Sequence, residues 1–104
     1  MTLSGFAWTD GALDRRRVVE CALSRICGFC GESLGRPIAF VGDAQETARH
    51  EFHVPPLHES CAAALLAHDL AGRLVVLASS FEFRRPGRGD TDPEVRFEPG
   101  AQVT

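Results

Sequence analysis

The chain has 104 residues, 44% hydrophobic and 24% charged, with a formal net charge of −3. That length fits one domain, which buries roughly 60–65% of its unfolded surface, and the composition excludes a fully disordered chain. No apolar run approaches the ~20 residues of a membrane span, the opening residues lack the basic-then-apolar order of a secretory signal, and the net acidity gives no global attraction to nucleic acid.

These features predict a single cytoplasmic domain over residues 1–104 with no membrane contact. Residues 1–9 and 100–104 read as loose tails, with Phe6 and Trp8 available to pin the first to the body. Thr9 and Asp10 are suited to cap a helix over about Ala12–Ser24, where Leu13, Val18, Ala22 and Cys21 or Leu23 recur at helical spacing. Arg15–Arg17 lie in it and read as a solvated face. Residues 26–35 hold three glycines and form a tight turn.

Pro37–Val41 reads as a short buried strand and Gly42–Thr47 as a polar loop. Ala48–Val54 alternates, with Ala48, His50, Phe52 and Val54 on one face and Arg49, Glu51 and His53 on the other. The alternation predicts a strand pairing with the previous one. Pro55-Pro56 ends it. A helix is expected over about Leu57–Ala71, with Leu57, Cys61, Ala64, Leu65 and His68 on one face and Gly72 at its C-terminal cap. Leu74–Phe83 then reads as one strand, Arg84–Pro93 as a loop and Glu94–Glu98 as a second strand, the two forming a hairpin.

The sharpest chemical signal is Cys27-x-x-Cys30 with His58-x-x-Cys61 downstream. Two ligand pairs, each with two intervening residues, suit one structural zinc ion in tetrahedral coordination. The first pair sits in a glycine-rich knuckle. The second lies on one face of a helix's first turn, where the helix dipole favours a thiolate. Knuckle, hairpin, then a helix bearing the second pair is the order of a treble-clef finger. The predicted class is thus a small α+β, treble-clef-like domain with an N-terminal helix and a C-terminal hairpin.

Competing readings are weaker. Cys27-Gly28-Phe29-Cys30 resembles a thioredoxin-type redox motif, but Gly31, Gly35 and Pro37 oppose the helix that motif needs. Cys21 reads as a small buried hydrophobe. His50 and His53 read as structural or solvated, and His68 as a core-edge residue, although Cys21, His50 and His53 remain alternative ligands on spacing alone.

The residues Cys27-x-x-Cys30-Gly31-x-x-Leu34-Gly35, then Ala39-Phe40-Val41, then Pro55-Pro56-x-His58-x-x-Cys61-Ala62 resemble a group of small zinc-finger-like proteins of GC-rich Gram-positive bacteria and their phages. The likeness spans roughly residues 25–98. Its specific part is the Cys and His spacing with the Pro-Pro pair; the match over Leu74–Leu77, Phe81–Arg84 and Val95–Phe97 is looser. The chain departs in the polar stretch Gly42–His53. The resemblance implies a metal-binding fold and brings no activity with it.

Four protein ligands leave zinc no open position for water, so no catalytic residue is expected. The deaminase order of ligands is missing. An HNH-like nuclease would need a His-His or Asp-His dipeptide on the hairpin, which the chain lacks. All eleven basic residues are Arg, a bias that fits a GC-rich genome and lowers the weight of each as a phosphate ligand. Arg15–Arg17 and Arg84, Arg85 and Arg88 are the candidate nucleic-acid patches, but Asp90, Asp92, Glu94 and Glu98 crowd the second. Arg88-Gly89-Asp90 spells an adhesion tripeptide without meaning inside a cell. The expected function is therefore a zinc-stabilised protein-binding or accessory module, with a protein partner or a second copy docking on the Leu74–Phe83 edge and aromatic anchors from Phe6, Trp8, Phe81 and Phe83. A nucleic-acid-binding regulator is the alternative.

Overall fold

Asp14 opens the first helix. Its carboxylate accepts the backbone N–H groups of Arg16 and Arg17 at 3.0 and 3.4 Å, filling two donors that a helix start leaves unpaired. The Arg17 N–H foremost holds the Asp14 carboxyl below its ordinary range. In the computed structural model, which describes residues 5–68, 70–91 and 93–101, this helix, α1, runs from Arg15 to Ser24 and buries Val18, Cys21 and Ala22. It starts later than its periodicity predicts because Ala12–Leu13 form a short strand, β2, paired antiparallel with β1 at Trp8–Thr9.

That pairing corrects the expectation of a loose N-terminus. The Phe6 and Ala7 N–H groups donate to the carbonyls of Phe29 and Gly28, both at 2.9 Å, and Ala7 and Trp8 are buried. The indole and the knuckle backbone together hold residues 5–9 on the body. Residues 1–4, and 102–104 at the other end, lie outside the described residues.

The central strand, β3 (Ile38–Gly42), is buried along its whole length. It is flanked antiparallel by β4 (Leu57–His58) and β5 (Leu74–Ala78), in the order β4-β3-β5. The register sets Ile38 opposite both His58 and Ala78.

Between β3 and β4 the structure overturns two expectations. The polar loop Gly42–Thr47 and the strand Ala48–Val54 are instead a helix, α2, over Ala44–Arg49. A capping box decides it. Asp43 Oδ1 accepts the Glu46 N–H at 2.8 Å, and Glu46 Oε1 accepts the Asp43 N–H at 3.1 Å. The alternation at Ala48 and His50 presents too little apolar area to prevail over that local satisfaction. The expected pairing with β3 does not form; Phe52 instead bridges to Phe97, in the last described strand, through N–H···O bonds of 2.9 and 2.7 Å. Asp43→Ala is expected to cost about 0.5–2 kcal/mol, read as a shift in urea midpoint at unchanged slope.

The helix expected over 57–71 is shorter. Leu57 and His58 belong to β4, and α3 spans Glu59–Ala67. It buries Ala62 and Leu65, while Ala64 and His68 are exposed rather than on the inner face. The single strand expected over 74–83 is two. The chain turns at Ser79-Ser80, so β5 joins β3, while β6 (Phe81–Arg84) pairs with β7 (Arg96–Pro99). The predicted C-terminal hairpin thus forms from the second half of that run. Its rings complete the core: Phe81 packs edge-on to Phe40 and Phe97, with centroids 6.1 and 5.7 Å away. Gly42 lets Phe52 approach β3, since a Cβ there would sit 2.7 Å from the Phe52 ring. The described residues thus form a small α+β domain with three antiparallel sheets. Among the described residues no helix is long and apolar enough to cross a membrane.

Candidate metal centre

The knuckle forms because its glycines let the chain reverse within one turn. Ile26 bridges to Ser33, the Cys27 N–H donates to the Glu32 carbonyl at 2.8 Å, and the Gly31 N–H returns to the Cys27 carbonyl at 2.9 Å. Gly31 sits at φ +76°, where side chains bearing a Cβ are strained. Cys27 and Cys30 therefore project from one side of a closed turn. The second pair is delivered by β4 and α3. Pairing with Ile38 fixes His58 at the end of β4, where it is also the N-cap of α3. Cys61 follows in the first turn of α3, near the positive end of the helix dipole.

These four side chains meet. The ligand atoms of Cys27, Cys30, His58 and Cys61 all lie within 4.8 Å of one another. Cys30 Sγ is 3.3 Å and Cys61 Sγ 3.8 Å from His58 Nδ1. On one tetrahedral ion with bonds of ~2.3 Å to sulfur and ~2.1 Å to nitrogen, a sulfur and a nitrogen sit about 3.6 Å apart. The cluster has the size of a single-ion site.

The surroundings favour the same outcome. His58 Nε2 lies 2.8 Å from the Ser33 carbonyl. A carbonyl only accepts, so Nε2 carries the proton and Nδ1 turns its lone pair toward the cysteines. Cys27 is buried, which raises its thiol, yet N–H donors from Cys30, His58 and Phe29 overcome the burial and leave it lowered. Two of these bonds, from Phe29 and His58, measure 3.4 Å. Cys61 is pushed up to about 12 by burial and by the neighbouring Cys27 and Cys30. Three sulfurs this close repel as thiolates unless a cation sits among them. The donor set and its polarisation therefore fit a divalent ion held by four protein ligands.

The spacing in the sequence identified these four residues; what it missed is the support around them. The Ser33 carbonyl and the Phe29 N–H act through the backbone and leave no side-chain signal. Gly28 is a further case. Its N–H donates to the Pro56 carbonyl at 2.9 Å, and a Cβ on it would lie 2.7 Å from Pro55 Cγ. A proline ring cannot swing away, so the Pro-Pro pair and Gly28 dock the two halves of the site against each other. Gly28→Ala is expected to weaken metal binding about 10–100-fold, the range seen when a supporting partner is lost, measured by competition with a chromophoric chelator.

The cluster leaves out the other candidates. Cys21 is fully buried, and burial raises its thiol to about 12. His50 Nε2 donates to the Pro99 carbonyl at 3.1 Å. His53 Nδ1 meets Glu46 Oε2 at 2.7 Å. The fold and site thus define a small α+β domain with a Cys3His cluster able to hold one metal ion. Comparison with protein-family models, with curated proteins and with solved structures gives no match.

Proposed function

We propose that this chain is a zinc-stabilised, treble-clef-like binding module with no catalytic activity of its own, acting through protein contacts in a reducing, cytoplasmic setting. The convergence of three thiols and one imidazole on a single point carries this reading. Sulfur-rich tetrahedral sets select zinc among abundant divalent ions. Four protein ligands close the shell, which suits a structural ion and leaves no place for an activated water. The treble-clef reading draws support from the order of parts: a knuckle at 26–33, antiparallel β3 and β4, then α3 carrying Cys61. Helix α2, inserted between the two strands, enlarges the usual hairpin. The resemblance to zinc-finger-like proteins of GC-rich bacteria and their phages belongs to the same proposal.

Binding of nucleic acid is the weaker reading because much of the positive charge is engaged within the chain. Arg84 pairs with Glu98 at 2.6 Å, Arg96 with Glu51 and Asp90 at 3.6 and 3.3 Å, and Arg17 covers the Phe6 ring at 5.5 Å. Phosphate affinity needs several unopposed cations. Elemental analysis of the purified protein is expected to find one zinc per chain. Titration against duplex and single-stranded DNA and RNA at two salt concentrations is expected to show no binding tighter than ~1 μM at physiological salt, the tight end of the ordinary non-specific range.

A further inference from the structure

Two basic stretches far apart in the sequence meet across one groove. Arg15, at the start of α1, and Arg85, just past β6, line the same hollow of about 260 Å³, together with Val19, Pro86 and Val95. A neighbouring hollow of about 210 Å³ shares Arg15 and Val95 and adds Leu13 and Val18 as apolar lining, with His53 and Glu94. The Arg15 guanidinium donates to the Pro93 carbonyl at 3.0 Å, tying helix to loop and holding the groove to one width. Arg85 is exposed and lies 5.7 Å above the Phe83 ring. Arg84 and Arg96, by contrast, are matched by carboxylates; among the described residues no ion pair joins a carboxylate to Arg15 or Arg85.

We propose that this groove binds a short acidic peptide segment. An aliphatic side chain of the segment enters the hollow, and flanking carboxylates pair with Arg15 and Arg85. The proposal rests on reading the domain as a binding module and names the chemistry of its partner. Branched aliphatic walls match an aliphatic side chain, and the planar guanidinium fork matches a carboxylate bidentately. Single-stranded nucleic acid fits less well. Its bases need aromatic platforms, and no Phe or Trp lines either hollow. A net charge of −3 also opposes a polyanion more than a peptide bearing a few acids.

The test uses the metal-loaded full chain with a fluorescent peptide alternating aspartate and leucine, its lysine–leucine counterpart and an oligo-dT strand. Polarisation is expected to show micromolar binding of the acidic peptide alone. Methyl resonances of Leu13, Val18, Val19 and Val95 should shift on titration. Arg85→Glu, on an exposed loop, is expected to keep the melting temperature, weaken the acidic peptide about tenfold or more and admit the lysine peptide. Absence of methyl shifts in folded, metal-loaded protein overturns the proposal, as does acidic-peptide binding indifferent to Arg85→Glu or tighter binding of oligo-dT. Metal content is measured on the same sample. A metal-free protein that binds the acidic peptide with the expected shifts supports the groove and counts only against the zinc reading.

Discussion

Removal of the metal by a chelator is expected to abolish the cooperative melting of the domain rather than lower it by a few degrees. The four side chains join the knuckle after α1, the two-residue β4 and the first turn of α3, which are otherwise held together by a few bonds such as Gly28 N–H to the Pro56 carbonyl and His58 Nε2 to the Ser33 carbonyl. Structural zinc contributes roughly 10–16 kcal/mol of apparent binding free energy, against a net stability of ~5–15 kcal/mol for a domain. Loss of the larger quantity leaves the region 26–71 without a folded minimum. Cys30→Ser and Cys61→Ser should act in the same direction, because a hydroxyl is a poor replacement for a thiolate on zinc. The sign of the pH effect follows from the thiols. Cys61, pushed up to about 12 by burial and its sulfur neighbours, must release its proton for the metal to bind. Affinity therefore falls as pH falls, and acid should release the ion and the fold together. Circular dichroism melts with and without chelator, at neutral and mildly acidic pH, check both statements; an unchanged melting curve after complete chelation would show the site to be dispensable.

The second large effect belongs to Phe97. Its side chain is fully buried, its ring lies 5.7 Å from Phe81 and 5.3 Å from Phe83, and its backbone forms the bridge to Phe52. Phe97→Ala removes the hub through which the C-terminal hairpin meets the 50s segment, and a buried Phe→Ala change costs about 3–5 kcal/mol. That is a large share of the whole stability. Urea unfolding should show the loss. The four residues of the Cys3His cluster lie on other elements, so in folded protein at low denaturant any metal affinity should change little. A matched fall in metal affinity would mean that hairpin and metal centre are one cooperative unit.

The two predictions bear differently on what the sequence made legible. The Cys3His cluster was readable because its pairs are local: Cys27/Cys30 and His58/Cys61 are each presented by about one turn of chain, and the spacing itself encodes that turn. α1 was readable from its apolar period and β3 from a continuous apolar run buried on both faces. The segment 42–54 was misread because two local rules conflict there. Alternation pointed to a strand, while Asp43 and Glu46 formed a capping box whose closed hydrogen bonds prevail. The run 74–83 was misread because period-two patterning is the same on either side of Ser79-Ser80 and carries no mark of which sheet each half joins.

By itself, then, the sequence determined the α+β class, the four-residue cluster and the knuckle presenting its first pair, since each depends on neighbours within a few positions; that His58 stands on strand β4 and only Cys61 on the helix was decided by pairing with β3. Tertiary structure alone decided that residues 5–9 pack on the knuckle, that Gly28 fits against Pro55, that His58 is turned by the Ser33 carbonyl, and that Arg15 and Arg85 share a groove. These are contacts between distant segments, set by backbone shape and by the filling of one core, and neither is written in the spacing of side chains along the chain.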